Sequence, residues 1–288
     1  MKAIFYGADA RLRSGWKAAL FILTAIAFIG AIGMLAQLIP PQYKAFKNAV
    51  PAIGVLLATF ICVRVEKSTM ADAGYRLDGR FLLQFAAGTM MGIALLLIAG
   101  AAVWSLDGFH LERVSSDYGI VAASAAFMLC VGIFEETAFH GFAFQRVVRN
   151  IGPLKAQLIF AIAFAAVHMG NPGMHGMTLV MGVINIFLAG LMLGLCYLRT
   201  GSLALPIGVH MGWNWMQGTL GFGVSGTTSS GWWKPVFHGQ PQWLTGGTFG
   251  LEASAAGVVV LALTVLALAR WKGSAGAIGA PQPAAALA

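Results

Sequence analysis

Residues 119–142 read GIVAASAAFMLCVGIFEETAFHGF, an apolar run that ends near two adjacent carboxylates, Glu135 and Glu136. The apolar part has the length and composition of a membrane-spanning helix. A charged residue at the centre of such a helix costs about 2.5–3.5 kcal/mol on insertion scales. The two acids therefore predict either a polar site within the membrane or a helix that ends before Glu135 and leaves both acids in water.

The composition extends this interpretation to the whole chain. Of 288 residues, 58% are hydrophobic and only 10% are charged, whereas soluble domains contain about 25% charged residues. The 18 Lys and Arg residues lie in short clusters between apolar runs, which is typical of membrane topology and not of a nucleic-acid groove. We therefore predict an all-α, polytopic membrane protein that contacts the lipid bilayer and has no nucleic-acid partner.

Apolar runs of about 20 residues predict about eight transmembrane helices that enclose a polar cavity. We expect a single integral membrane domain over residues 1–288, whose proline-containing tail at 272–288 is disordered. The predicted spans are roughly 16–39, 48–64, 82–104, 118–140, 155–171, 177–198, 202–222 and 251–270.

The basic residues predict the orientation of these spans. With the N-terminus in the cytoplasm, the external side holds only Lys44, Lys47, Arg113 and Lys234. By the positive-inside rule, we expect a multi-pass protein of the cell (inner) membrane with both termini cytoplasmic. The longest connection, residues 223–250, is then external, and its tryptophans favour an aromatic belt at the membrane surface over a lid above a substrate.

Helical periodicity separates the roles of the two acids. Glu136 and His140 are four residues apart and share one face of a helix, whereas Glu135 points about 100° away. We therefore predict a hydrogen bond between Glu136 and His140, with Glu135 directed into a cavity.

Further polar side chains occur in other predicted spans. His168 lies in FAIAFAAVHMG, and His210 and Asn214 lie one turn apart in VHMGWNW. A lone histidine on an apolar helix is more often a satisfied core residue, and His and Asn also join membrane helices; we give Asn185 that structural interpretation. Because buried polar groups must satisfy one another or bind water, the set as a whole favours convergence on one water-containing cavity.

Three motifs together resemble the CPBP family of intramembrane proteases, also called the CAAX protease and bacteriocin-processing (Abi) family. They are EExxxHG at 135–141, FxxxH at 164–168 and HxxxN at 210–214, each in a separate predicted span. The segment AGLMLGLCYLRTGSLALPIGVHMGWN, residues 189–214, is also similar to that family. The resemblance covers about residues 118–220, which we expect to form the catalytic core.

The resemblance implies an intramembrane endopeptidase that cleaves a membrane-associated peptide, either at a CAAX-type C-terminus or in a leader peptide. It implies that Glu135, assisted by His168, activates a water, and that His210 and Asn214 form an oxyanion hole. Glu136 is expected to support this site. We expect no cofactor, although Glu135, His168 and His210 could alternatively form a His₂Glu zinc site.

One position departs from the family pattern, in which an arginine usually follows the second glutamate by four residues; here it is His140. This departure keeps open a non-catalytic immunity or scaffold protein, and a proton-coupled transporter is a further alternative. The predicted spans also place Glu135 and His168 at different depths, unless the fourth helix continues beyond its expected end.

Overall fold

The computed structural model describes residues 5–6, 12–40 and 46–274. Most of the predicted disordered tail, residues 275–288, lies outside these described residues. The helices are α1 Ser14–Ala36, α2 Val50–Val65, α3 Gly79–Ser105, α4 Tyr118–His140, α5 Phe142–Ile151, α6 Pro153–His168, α7 Gly176–Thr200, α8 Ala204–Thr219, α9 Gln242–Thr245 and α10 Ala255–Arg270. Two short strands, β1 Phe109–Arg113 and β2 Trp233–Phe237, pair antiparallel. The all-α prediction is confirmed, and a helix occupies each of the eight predicted spans.

Five helical segments of the described chain are long and apolar enough to cross a membrane. They are 14–36, 46–65, 79–105, 118–151 and 176–200. Large apolar side chains on their outer faces are exposed, as at Leu23 (63%) and Leu83 (70%), which suits contact with lipid and not with water. The chain is therefore a multi-pass membrane protein.

The remaining apolar helices α6, α8 and α10 have 16 residues each. At 1.5 Å per residue each is about 24 Å long, shorter than the roughly 30 Å hydrocarbon core. Two of these short helices, α6 and α8, carry the predicted site residues His168, His210 and Asn214. Short helices can therefore place these polar groups inside the bundle without each having to span it.

Helix α5 lies in the connection between the fourth and fifth predicted spans, where no helix was predicted. It follows a break at Gly141 and is amphipathic, because it buries Phe142 and Phe144 while Asn150 remains exposed. Its ten residues add about 15 Å of chain beyond α4. Helix α6 can therefore begin further from α4 and return His168 to the level of Glu135, which removes the conflict in depth.

An ion cluster fixes α5 against α1 and α2. Arg146 Nη2 and Lys17 Nζ lie 2.6 and 2.9 Å from the two carboxylate oxygens of Glu66. Burial raises the pKa of the Glu66 carboxyl, but the hydrogen bonds from Arg146 and Lys17 outweigh it and hold that pKa below its usual range. The cluster therefore joins three elements at the end of the bundle from which α5 leads to α6.

Helices α3 and α8 form the most extensive helix contact in the described part of the chain. A Cβ at Gly92 would lie 2.1 Å from the Val209 carbonyl oxygen, and one at Gly208 would lie 2.3 Å from the Phe85 carbonyl oxygen. These distances leave no room for a side chain, so the two backbones approach as closely as small residues permit. This contact fixes the position of α8, which carries His210 and Asn214.

The segment after α8 folds back over the bundle. Its strand β2 pairs with β1, and Trp232 donates a hydrogen bond from its indole to the Asp117 carbonyl oxygen (2.9 Å). Trp243 is 43% exposed, as an interfacial aromatic residue would be. The segment is more than a surface belt, however, because Phe249 and Leu251 are buried in the core.

Candidate active site

The end of α4 places Glu136 in the interior. Glu136 is fully buried, and His140 donates a hydrogen bond from Nδ1 to Glu136 Oε2 (2.7 Å). The predicted bond between these residues is therefore present. The alternative in which both acids lie in water is wrong, since the Glu135 side chain is itself only 18% exposed.

Glu136 also contacts a second helix. Its other oxygen, Oε1, accepts a hydrogen bond from His210 Nδ1 of α8 (2.7 Å). One buried carboxylate therefore joins two imidazoles, and it fixes which nitrogen of His210 faces the cavity. The sequence pattern assigned only His140 to Glu136, because a contact between α4 and α8 depends on helix packing and leaves no local periodic signal.

His168 is oriented by its own helix. Its Nδ1 donates to the Phe164 carbonyl oxygen one turn earlier (2.7 Å). This bond leaves Nε2 of His168 directed towards Glu135, whose Oε2 lies 3.7 Å away. The FxxxH motif therefore supplies a histidine with one nitrogen bound to the backbone and the other available.

Glu135 Oε2 lies between the two available imidazole nitrogens. It is 3.7 Å from His168 Nε2 and 3.9 Å from His210 Nε2. These distances are too long for direct hydrogen bonds, and within the described residues this buried oxygen has no hydrogen-bond partner. This spacing would allow a small molecule such as water to bridge the carboxylate and the two imidazoles.

A cavity of about 50 Å³ adjoins this group. It has room for a few water molecules, since one needs about 10–15 Å³ by this measure. Its polar lining consists of His168, Asn185, His210, Asn214, Ser225 and Glu252. Asn214 lies one turn from His210 in α8 and is buried, so both side chains border one space as their spacing predicted.

The other side of Glu135 borders a larger groove of about 350 Å³ between α2 and α4. Most of its walls are apolar, and Lys47 and Asn48 lie at its edge. The apolar lining residues are Pro51, Phe127, Cys130, Val131 and Phe134. Glu135 therefore borders this groove directly and lies beside His168 and His210, which line the smaller cavity.

Residues 117–216 match the family model described as "Rce1-like: Type II CAAX prenyl endopeptidase Rce1-like". This segment is similar to CAAX protease domains. The match covers about a third of the chain and includes the five predicted site positions, Glu135, Glu136, His168, His210 and Asn214. Among curated proteins, none matches the chain. The match supports an intramembrane endopeptidase activity on a membrane-associated peptide.

One residue of this cavity lies beyond the matched segment and was missed by the sequence analysis. Glu252 is buried, and its Oε2 accepts hydrogen bonds from the Ser225 backbone N–H (2.6 Å) and hydroxyl (3.0 Å). The signal that could have revealed Glu252 is a carboxylate directly before the last apolar run, the same feature that drew attention to Glu135.

Asn185 was interpreted as a structural residue, yet it lines the same cavity. It is 1% exposed, and its Nδ2 has no hydrogen-bond partner among residues 46–274. A buried donor without a partner costs about 1–3 kcal/mol. Asn185 therefore adds unsatisfied polar character to the cavity wall.

The zinc alternative can be compared with this geometry. Glu135, His168 and His210 are suitable zinc ligands, and both histidines are oriented through Nδ1 as zinc-bound histidines commonly are. Tetrahedral zinc with ligands at about 2.0–2.1 Å places its donors about 3.3 Å apart, closer than the 3.7 and 3.9 Å seen here. The described residues contain no group already at metal-binding spacing, so the donor set fits zinc in kind but would have to contract.

Proposed function

We propose that the protein is a glutamate-dependent intramembrane endopeptidase. In this proposal Glu135 activates a water that hydrolyses a peptide bond of a membrane-associated substrate, at a CAAX-type C-terminus or in a leader peptide. The observation that carries the proposal is Glu135 Oε2, which accepts no hydrogen bond from the described residues and lies 3.7 and 3.9 Å from two imidazole nitrogens inside the bundle. A general base must have a lone pair free to accept a proton from water.

The first step uses Glu135 and His168. A water between Glu135 Oε2 and His168 Nε2 gives a proton to the carboxylate and attacks the substrate carbonyl carbon. His168 orients this water, because its ring is fixed by the bond from Nδ1 to the Phe164 carbonyl oxygen. The apolar groove beside α4 reaches Glu135, so a lipid-anchored peptide would have a path to the base.

The second step requires donors for the oxyanion. His210 and Asn214 share the cavity, and each could donate a hydrogen bond to the oxygen that becomes negative. His210 Nδ1 already donates to Glu136, so Nε2 can donate only when the ring carries a second proton. Glu136 supplies the counter-charge for that form, which gives the second glutamate a positioning role.

We further propose that both termini are cytoplasmic and that the protein lies in the cell membrane.

The proposed function predicts cleavage of a defined probe. The full-length chain in lipid nanodiscs should cleave a fluorogenic farnesylated peptide that ends in a CAAX sequence, and should cleave the same peptide without the farnesyl group more slowly. Mass spectrometry of the products locates the bond. If the farnesylated peptide remains intact, comparison of membrane proteomes from cells with wild-type protein or the Glu135→Gln variant would identify a leader-peptide type of substrate instead.

The role of a metal gives a separate prediction. If Glu135 acts on water without a metal, activity should survive exhaustive chelation, and the purified protein should contain less than one zinc per chain by elemental analysis. If the enzyme used zinc instead, Glu135, His168 and His210 would hold the ion, and the ion would lower the pKa of a bound water. Activity that is lost with a chelator and restored by zinc alone would assign these three residues as ligands.

A further inference from the structure

Glu252 is a buried carboxyl group for which the proposed mechanism has no use. It precedes α10, in the segment that folds back over the bundle, and is 7% exposed. Both of its hydrogen bonds come from Ser225 and end on the same oxygen, Oε2. The second oxygen, Oε1, is therefore the one left to carry a proton.

The surroundings of Glu252 place this carboxyl group beside the proposed reaction. It lines the same cavity of about 50 Å³ as His168, His210 and Asn214. The two histidines are the other titratable groups that line this cavity in the described chain. Glu252, in the segment that folds back over the bundle, therefore lies across this cavity from His168 of α6 and from His210 and Asn214 of α8.

The environment also favours the neutral form of this acid. Glu252 is 7% exposed, and burial away from water favours the neutral form of a carboxyl group over its charged form. A carboxyl group whose pKa is raised retains its proton to a higher pH than an exposed glutamate, as a general acid must.

We propose that Glu252 is the general acid that protonates the leaving nitrogen when the peptide bond breaks. This inference rests on the proposed endopeptidase function and adds a catalytic residue outside the matched segment 117–216. Glu135 and Glu252 then have opposite tasks on the two sides of the scissile bond. The base accepts a proton from water, and the acid gives one to the amine.

The protons balance over one cycle. Glu135 takes one proton from water as the hydroxyl oxygen bonds to the carbonyl carbon, and the carbonyl oxygen becomes an oxyanion held by His210 and Asn214. When this intermediate collapses, the C–N bond breaks and the nitrogen takes the proton from Glu252 Oε1. The products are a carboxylic acid and an amine. Transfer of the proton from Glu135 to Glu252 restores both groups.

The alternative role of Glu252 is structural, because its bonds to Ser225 hold the covering segment. Two matched substrates separate the roles: the farnesylated CAAX peptide and its analogue with an ester in place of the scissile amide. An alkoxide leaves far more readily than an amide nitrogen and needs less protonation. A general acid therefore matters mainly for the amide, whereas a structural defect slows both substrates equally.

The experiment measures kcat for both substrates with the full-length chain in nanodiscs. For Glu252→Gln, which keeps an acceptor for Ser225 but loses the acidic proton, we expect amide turnover to fall about 10²–10³-fold and ester turnover to fall less than tenfold. Glu252→Asp should recover part of the amide turnover. Ser225→Ala, which loosens the same contact but keeps the acid, should change both rates by the same factor.

Each outcome is decisive. Equal losses for amide and ester in Glu252→Gln, matching those in Ser225→Ala, would make Glu252 a structural residue and overturn the inference while leaving the proposed endopeptidase intact. Unchanged amide turnover in Glu252→Gln would do the same. A wild-type protein that hydrolyses neither substrate in these nanodiscs would overturn the proposed CAAX-type activity, and the acid assignment with it. Should Glu252→Gln fail to fold, the amide-to-ester ratio of Glu252→Asp decides the question.

Discussion

Glu135→Gln should lower peptide turnover by about 10²–10⁴-fold without reducing the stability of the protein. The substitution keeps the size of the side chain and removes its ability to accept a proton. Glu135 Oε2 makes no hydrogen bond within the described residues, so the change breaks no contact of that oxygen. We therefore expect the melting temperature to remain close to that of the wild-type protein.

The measurement is kcat for the farnesylated peptide together with the melting temperature in detergent. Glu112→Gln is a matched control, because it makes the same chemical change at an exposed position of β1 and should alter neither quantity. Wild-type turnover in a folded Glu135→Gln protein would exclude Glu135 as the base. A large fall in melting temperature would assign it a structural role instead.

Glu136→Gln should reduce both stability and activity. The Glu136 carboxylate accepts bonds from His140 and His210 at 2.7 Å each while fully buried, and a Gln side chain has one acceptor oxygen in place of two. One imidazole would then face the amide NH₂ group. Removal of one partner of a buried ionic pair typically costs about 3–5 kcal/mol, and a misoriented His210 should cost about 10²–10³ in turnover, as for a lost oxyanion donor.

A matched variant separates the two bonds of Glu136. His140→Phe keeps an aromatic ring against Phe144 and Phe164 and removes the hydrogen bond from position 140, while His210 keeps its bond to Glu136. We therefore expect a lower melting temperature but a smaller loss of kcat than in Glu136→Gln. If His140→Phe loses as much activity as Glu136→Gln in a folded protein, His140 takes part in the chemistry itself.

The contacts that the sequence predicted are those within a single helix. The bond between Glu136 and His140, and the common face of His210 and Asn214, follow from the fixed rise and rotation of an α-helix. The bond between Glu136 and His210 could not be predicted in this way, because it depends on how α4 and α8 pack. Glu252 escaped notice because it stands at the very start of the last predicted span, and its place at the cavity depends on how the segment before α10 folds back over the bundle.

The spans were predictable for a different reason, since the thickness of the bilayer sets the length of an apolar run. Helix α5 was not, because an amphipathic helix after Gly141 does not resemble a span. Its omission caused the apparent difference in depth between Glu135 and His168. One unrecognised helix was therefore enough to make Glu135 and His168, which lie close together in the structure, look separated in depth.

The glycine contact between α3 and α8 limits which parts of this chain can be exchanged with relatives. Residues 117–216 contain most of α8 but none of α3. If that segment were transferred to another protein, it would bring His210 and Asn214 on α8 without α3. Gly208 would then pack against side chains of the host protein instead of the α3 backbone. The modular unit of this protein, for evolution by recombination or for an engineer, therefore begins no later than Gly79, well before the glutamate pair at 135 and 136.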